Sequence, residues 1–157
     1  MAFAYDAAED KLHAAFQVSA DLYPGDACRL LQSVARLCGS GGDNLSRAAE
    51  AARTPAFAWC MRQVQNCAPR LRSRQLTQVW WSLAALAPSG WRPDSETLGA
   101  LVQQTTRQLH DFDAMGLTQC VWAHSKLGVE VPTALLKPLL DAVFTLISTF
   151  NAQDCAN

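Results

Sequence analysis

Leu71-Arg-Ser-Arg-Gln-Leu-Thr-Gln-Val-Trp-Trp-Ser-Leu-Ala-Ala-Leu86 and Phe112-Asp-Ala-Met-Gly-Leu-Thr-Gln-Cys-Val-Trp-Ala-His-Ser-Lys-Leu127 are two versions of one segment. At an offset of 112 − 71 = 41 they share Leu-Thr-Gln, the second Trp and the closing Leu without a gap. A period of about 40 residues accommodates two helices and their turns. A unit of that size cannot bury its own apolar face and must stack on its neighbours, which is the physical basis of a solenoid. Function in such an array lies on a surface built by successive units, so aligned columns matter more than a single pocket.

The register extends both ways. Leu22-Tyr-Pro-Gly-Asp-Ala-Cys-Arg-Leu-Leu-Gln-Ser-Val-Ala-Arg-Leu37 falls on Leu71 to Leu86 at 71 − 22 = 49, and Phe150-Asn-Ala-Gln-Asp-Cys-Ala-Asn157 falls on Phe112 to Gln119 at 150 − 112 = 38. Within each copy the apolar positions recur at helical spacing, as in Leu76, Val79, Trp80, Leu83 and Leu86, or Leu117, Cys120, Val121, His124 and Leu127. This is helix A. After Leu86 the chain reads Ala-Pro-Ser-Gly-Trp-Arg-Pro-Asp94, and after Leu127 it reads Gly-Val-Glu-Val-Pro132. Gly at a helix end and Pro at the next start are the expected punctuation. A second amphipathic stretch, helix B, is predicted from Asp94 to His110 and again from Thr133 to Thr149.

The first unit is longer than the third, with an offset of 49 against 38, and Gly39-Ser-Gly-Gly-Asp-Asn44 supplies the flexible part of the excess. Its B helix is predicted at Pro55 to Cys67, with Ala48 to Arg53 as an additional turn. Glu9 to Val18 reads as the B helix of a preceding unit. The segments are therefore 1–21, a remnant; 22–70, a divergent first repeat with an insertion; 71–111; 112–149; and 150–157, the start of a fourth. No run reads as a strand, so the class is all-α. The half units at both ends predict a piece of a longer array with apolar end surfaces. The alternative is a small array that dimerises through those ends.

The pattern Phe-x-x-x-x-Leu-x-x-x-x-Trp-Ala-x-Ser-Lys-Leu-Gly from Phe112 to Gly128 resembles the octotricopeptide repeat, as does the opening Phe150-Asn-Ala-Gln-Asp-Cys-Ala-Asn157. The likeness covers Leu22 to Asn157 and is weakest in the first copy, where Gln32 stands in the column of the second Trp and Cys38 replaces Gly. The resemblance implies a right-handed α-solenoid of stacked antiparallel helix pairs with a period of 38, the step from Phe112 to Phe150. It also implies binding to organellar RNA in chloroplast or mitochondrion, with effects on maturation, stability or translation. The signature residues of ankyrin, HEAT and tetratricopeptide arrays are absent from these registers.

The formal net charge of −1 does not by itself suggest a nucleic-acid binder. Its distribution is more informative. The segment from Ala51 to Pro93 contains Arg53, Arg62, Arg70, Arg72, Arg74 and Arg92 and no carboxylate. Arg presents a planar fork to phosphate, and Arg62, Arg70, Arg72 and Arg74 are the candidate phosphate contacts. A solvated helix face that gathers arginines by chance is the competing account.

The columns point to base contacts. The position two after the shared Leu holds Arg29, Gln78, Gln119 and Asn157, polar in every copy. Helical repeats that read single-stranded RNA use two or three side chains per unit at the base edge. Spacings of three, four and seven extend the face to Gln32, Ser33 and Arg36; to Trp81, Ser82 and Ala85; and to Trp122, Ala123 and Lys126. Arg29, Arg36, Gln78, Gln119, Lys126 and Asn157 are the base-contact candidates. Any solvated helix has a polar column, and Trp81 and Trp122 read as packing residues before they read as stacking platforms. Trp80, in the apolar column, reads as core.

Catalysis is not expected. His13, His110 and His124 sit in separate elements, and His124 takes a column held elsewhere by Val34 and Leu83, the place of a core histidine. His110-Asp111 suits a helix C-terminus. The cysteines at 28, 38, 60, 67, 120 and 155 form no C-x-x-C pair, and Cys120 and Cys155 occupy apolar columns as small core residues. No phosphate loop, nucleophile elbow or metal motif is present. The expectation is no cofactor, no metal, no small-molecule substrate and no membrane, since no apolar run approaches ~20 residues. Asp6, Glu9 and Asp10 are unlike an acid-poor transit segment. Two partner classes remain: single-stranded RNA along the A helices, or a protein held by a helical-repeat scaffold.

Overall fold

The computed structural model describes residues 10–17, 21–38 and 44–156, and every regular element among them is helical. In chain order these are α1 (10–17), α2 (Pro24–Cys38), α3 (Asn44–Ala51), α4 (Pro55–Cys67), α5 (Ser73–Leu86), α6 (Ser95–Gln108), α7 (Ala114–Leu127), α8 (Thr133–Leu146) and α9 (Ala152–Ala156). Single 3-10 turns follow α4, α5, α6 and α8 at Ala68–Arg70, Ala87–Ser89, Leu109–Asp111 and Ile147–Thr149. The glycine-rich loop at 39–43 and Asn157 lie outside the described residues.

The boundaries follow local chemistry. The Thr54 hydroxyl accepts from the Phe57 amide at 3.1 Å, Asp94 from the Thr97 amide at 2.7 Å, and Asp113 from the Gly116 amide at 2.7 Å. Each contact satisfies an orphan amide at a helix start. At α9 Asn151 accepts from the Asp154 amide at 3.0 Å while Asp154 accepts from the Asn151 amide at 3.0 Å, a reciprocal capping box. Gly128 ends α7 at φ +66° and Gly90 ends the turn after α5 at φ +82°, a left-handed conformation that glycine adopts without a Cβ penalty. α5 and α7 start at an offset of 114 − 73 = 41 and end at the same offset, 127 − 86 = 41, while α6 and α8 are offset by 38 at both ends. The B helices stop earlier than the apolar pattern suggested, at Gln108 and Leu146, because the last turn tightens to 3-10. The additional turn expected at Ala48 to Arg53 is a larger element, α3, packed on α2 and on the turn Ala87–Ser89.

Packing arranges the helices in two rows. α2 packs on α5, α5 on α7 and α7 on α9; in the other row α4 packs on α6 and α6 on α8. Between the rows lies a single core that includes Leu31, Phe57, Leu76, Trp80, Leu83, Leu101, Leu117 and Leu135. Fully burying each of these side chains contributes roughly 1.5–3 kcal/mol. Trp80 is the junction: its Nε1–H donates to the Thr105 hydroxyl on α6 at 2.9 Å, and its ring lies 4.6 Å from that of His124 on α7. Two glutamines at one B-helix register brace the start of an A helix. Gln63 Oε1 accepts from the Leu22 amide at 3.1 Å, and Gln104 Nε2 donates to the Leu71 carbonyl at 2.8 Å. α5 and α7 approach closely at Gly116, where a Cβ would lie 2.8 Å from the Phe112 ring and 3.0 Å from the Thr77 hydroxyl.

Cysteine burial divides along the chain. Cys28, Cys60, Cys67 and Cys120 are buried, and desolvation pushes the thiols of Cys28, Cys60 and Cys120 up to about 12. Cys155 is exposed, contrary to the core role expected from its column. It sits on a five-residue helix that packs on α7 with no further helix of the A row beyond it among the described residues.

Candidate nucleic-acid interface

The A row carries its polar column outward from the core. α5 and α7 hold the Leu column inward, with Leu76 and Leu117 fully buried, which leaves Gln78 and Gln119 half-buried at the rim two positions on. Gln78, Trp81 and Thr77 from α5 meet Gln32 and Arg36 from α2 and Met115 and Gln119 from α7 around one groove of about 260 Å³. The groove therefore draws on three consecutive A helices. Its volume is below the ~300 Å³ at which drug-sized pockets begin, which suits a small planar group or one side chain.

The lining is chemically mixed. Three amides supply paired donors and acceptors, Arg36 adds a permanent cation with a planar fork, and Trp81 and Met115 offer apolar surface. Among the described residues no carboxylate lines the groove. The Gln119 Oε1 is buried and has no hydrogen-bond partner. A buried acceptor in that condition costs about 1–3 kcal/mol, which a donor brought in by a ligand or by water would recover.

The base-contact candidates divide. Arg36, Gln78 and Gln119 come together in the groove. Arg29 does not join them: its guanidinium donates to Asp26, and it borders a different depression with Lys11, Leu22 and Ser33. Lys126 is exposed on α7 with its Nζ 5.9 Å from the centre of the Trp122 ring, a cation over an aromatic face. Trp122 and Trp81 are both half-buried against the core, so packing accounts for one side of each ring. The expected polar face narrows in one column. Ser82 and Ala123 are fully buried, because that column turns toward the core, and the Ser82 hydroxyl donates to the Gln78 carbonyl at 2.7 Å. Ser33 likewise donates to the Arg29 carbonyl at 2.9 Å.

The phosphate candidates are spread around the fold. Arg62 lies on α4, in the other row, beside Arg92, Trp91 and Asp94. Arg70 reaches the Cys67 sulfur at 3.6 Å, and Arg72 stands at the start of α5 with its amide donating to Gln75 at 3.0 Å. Arg74, in the first turn of α5, lines a second groove with Thr77, Met115, Asp111 and Asp113, next to the first through the two shared residues. Arg92 acts within the fold: its Nε donates to the Leu127 carbonyl and its Nη1 to the Ala87 carbonyl, both at 2.8 Å, pinning the end of α7 to that of α5.

Gln32, which the column spacing placed on the same face, lines the groove, whereas Thr77 and Met115 are groove residues that the columns did not single out. Thr77 and Met115 both stood in the aligned segments, but their meeting at one groove depends on the close packing of α5 on α7, a tertiary effect. His124 is a buried core histidine whose Nδ1 lies 2.9 Å from the Cys120 carbonyl; with a carbonyl as acceptor, Nδ1 carries the proton. Burial lowers its pKa from the ordinary value against a smaller upward effect of that hydrogen bond. Among the described residues no group of three His, Cys, Asp or Glu is placed to hold a metal ion, and no helix is long and apolar enough to cross a membrane. No protein-family model, curated protein or solved structure matches the chain.

Proposed function

We propose that the chain is a right-handed α-solenoid of stacked antiparallel helix pairs, with a period of 38 as in the α6 to α8 offset, that binds single-stranded RNA along its A row. The observation that carries this reading is the groove in which Arg36, Gln78, Trp81 and Gln119 from three successive helices share one carboxylate-free surface. An unstacked base has a π-face for Trp81 and hydrogen-bonding edges for amides, and its phosphate suits Arg36 or, next door, Arg74. The unpartnered Gln119 oxygen supports the same reading, since a base amino group would satisfy it. The likeness to octotricopeptide repeats extends the proposal to transcripts of chloroplast or mitochondrion, whose maturation, stability or translation the protein would affect.

Selection from a random single-stranded RNA pool tests it. The wild-type chain should enrich a short motif, and Gln78→Ala with Gln119→Ala should enrich a different one while the far-ultraviolet circular dichroism stays unchanged. An identical motif from the variant would remove the two glutamines as readers. A second reading, a protein-binding helical-repeat scaffold, is favoured by the exposed apolar residues on α8.

A further inference from the structure

Trp91, in the turn between α5 and α6, borders two adjoining depressions away from the groove of the A row. One, of about 360 Å³, is bounded by Arg53 from the turn between α3 and α4; the other, of about 270 Å³, is bounded by Arg62 from α4. Trp91 and Arg92 line both, which joins them into one furrow. The indole is half-buried and is held by Phe57, edge to face at 5.2 Å between ring centres. The cations lack counter-ions: among the described residues the ion pairs are Arg29 with Asp26, His110 with Asp111 and Lys137 with Asp141, none of them here. Asp94 is the one carboxylate lining the furrow, and it already accepts from the Thr97 amide at 2.7 Å as the cap of α6. Arg92 donates to the Leu127, Ala87 and Trp91 carbonyls, each at 2.8 Å. Those acceptors are neutral, so the guanidinium is fixed in place and keeps its charge. A cation already ordered loses little freedom when an anion arrives.

We propose that this furrow is a second contact for single-stranded RNA, with a base stacked on Trp91 and the flanking phosphates at Arg53, Arg62 and Arg92. An arginine fork meets two oxygens of one phosphate. An acidic peptide would answer the charge alone, whereas a furrow that combines cations with an aromatic face matches the alternation of phosphate and base along an unpaired strand. Every base has a π-face, so this contact adds affinity without selecting a sequence. The furrow belongs to this unit alone and is not a requirement of stacking. The corresponding turn after α7, Gly128 to Pro132, contains Val129, Glu130 and Val131, with neither an aromatic residue nor an Arg. α3, which packs on the turn Ala87–Ser89 and leads into Arg53, has no counterpart in the later units. This contact rests on the reading of the chain as an RNA binder and gives the RNA a site separate from the groove between α2, α5 and α7.

Anisotropy of a labelled random single-stranded RNA pool, titrated with the full chain at several salt concentrations, tests this. Arg53→Ala with Arg62→Ala should weaken binding at low salt at least fivefold and make the salt dependence shallower by about 1.4 log units per tenfold rise, ~0.7 for each phosphate released. Both side chains are exposed, so circular dichroism should match wild type. Arg107→Ala with Lys137→Ala removes the same charge from exposed positions on α6 and α8 and should change affinity less than twofold. Trp91→Leu keeps an apolar side chain against Phe57 and should weaken binding about fivefold or more with the salt slope unchanged. Wild-type affinity in the Arg53 and Arg62 double variant or in Trp91→Leu would overturn the proposal. So would an equal loss in the Arg107 and Lys137 variant, or displacement of the RNA by polyglutamate at an equal concentration of charge, which would assign the furrow to an acidic protein. Binding that responds to Arg36→Ala and not to the furrow variants would leave the A-row groove standing without this second contact. The reverse pattern would support the furrow and remove the groove.

Discussion

Replacing Thr105 by Val keeps the shape of a fully buried side chain while removing the hydroxyl that accepts from the Trp80 indole at 2.9 Å. Trp80 is itself fully buried, so its N–H has no water to turn to. Leaving such a donor unpaired costs about 1–3 kcal/mol. The added methyl returns at most ~0.8 kcal/mol of apolar burial, so from the middle of that range, about 2 kcal/mol, the expected net loss is about 1–2 kcal/mol. For a chain of this size that is a fall in melting temperature of about 2–8 °C. Urea unfolding followed by far-ultraviolet circular dichroism measures it. The informative control is Trp80→Phe, which removes the donor and so should reduce the cost of Thr105→Val by about 1 kcal/mol in the double variant. If Thr105→Val costs under ~0.5 kcal/mol, or costs the same in both backgrounds, Trp80 is not tied to α6 through this bond and the junction of the two rows has been misread.

Gly116→Ala should destabilise despite the better helix propensity of Ala, worth about 1 kcal/mol, because the new methyl meets the buried Phe112 ring at 2.8 Å and overpacking costs about 1–3 kcal/mol. A variant at least as stable as wild type in the same unfolding assay would contradict the close α5–α7 approach. His124 gives a pH dependence with a definite sign. Its pKa is lowered in the folded chain, so the unfolded chain takes up the proton first as pH falls below about 6.5. Its contribution is fully present above that value and is lost as pH falls toward the lower folded value. In His124→Leu, which matches Leu83 in the same column, unfolding free energies between pH 7 and 5 should fall less steeply than in wild type; equal slopes would assign the loss to other groups.

The helices and their order were legible because each unit repeats a helical apolar stripe between strong caps, so α4 begins at Pro55 and ends at Cys67 where the pattern placed it. Trp80 and His124 were legible as core for the same reason: their columns are apolar in the other copies. What the pattern could not convey is how neighbouring units meet. Ser82 and Ala123 share a helical face with Gln78 and Gln119 but lie on its inward edge, and only the packing of α5 and α7 on their neighbours decides that they are buried. The acid-free arginine segment looked continuous in sequence, yet it crosses from α3 past the end of α5, so Arg62 falls in one row and Arg74 in the other. Arg92 gave no sign of its three backbone acceptors, because the Leu127 carbonyl comes from a distant part of the chain.

Fluorescence anisotropy of a labelled random single-stranded RNA pool, titrated with the full chain over a series of salt concentrations, asks whether the groove between α2, α5 and α7 takes RNA. Saturable binding at low salt is expected, weakening by about 0.7 log units per tenfold rise in salt for each phosphate neutralised, with a slope shallower by that amount in Arg36→Ala. No binding at low salt, or binding indifferent both to salt and to Arg36→Ala, would contradict RNA recognition by this groove.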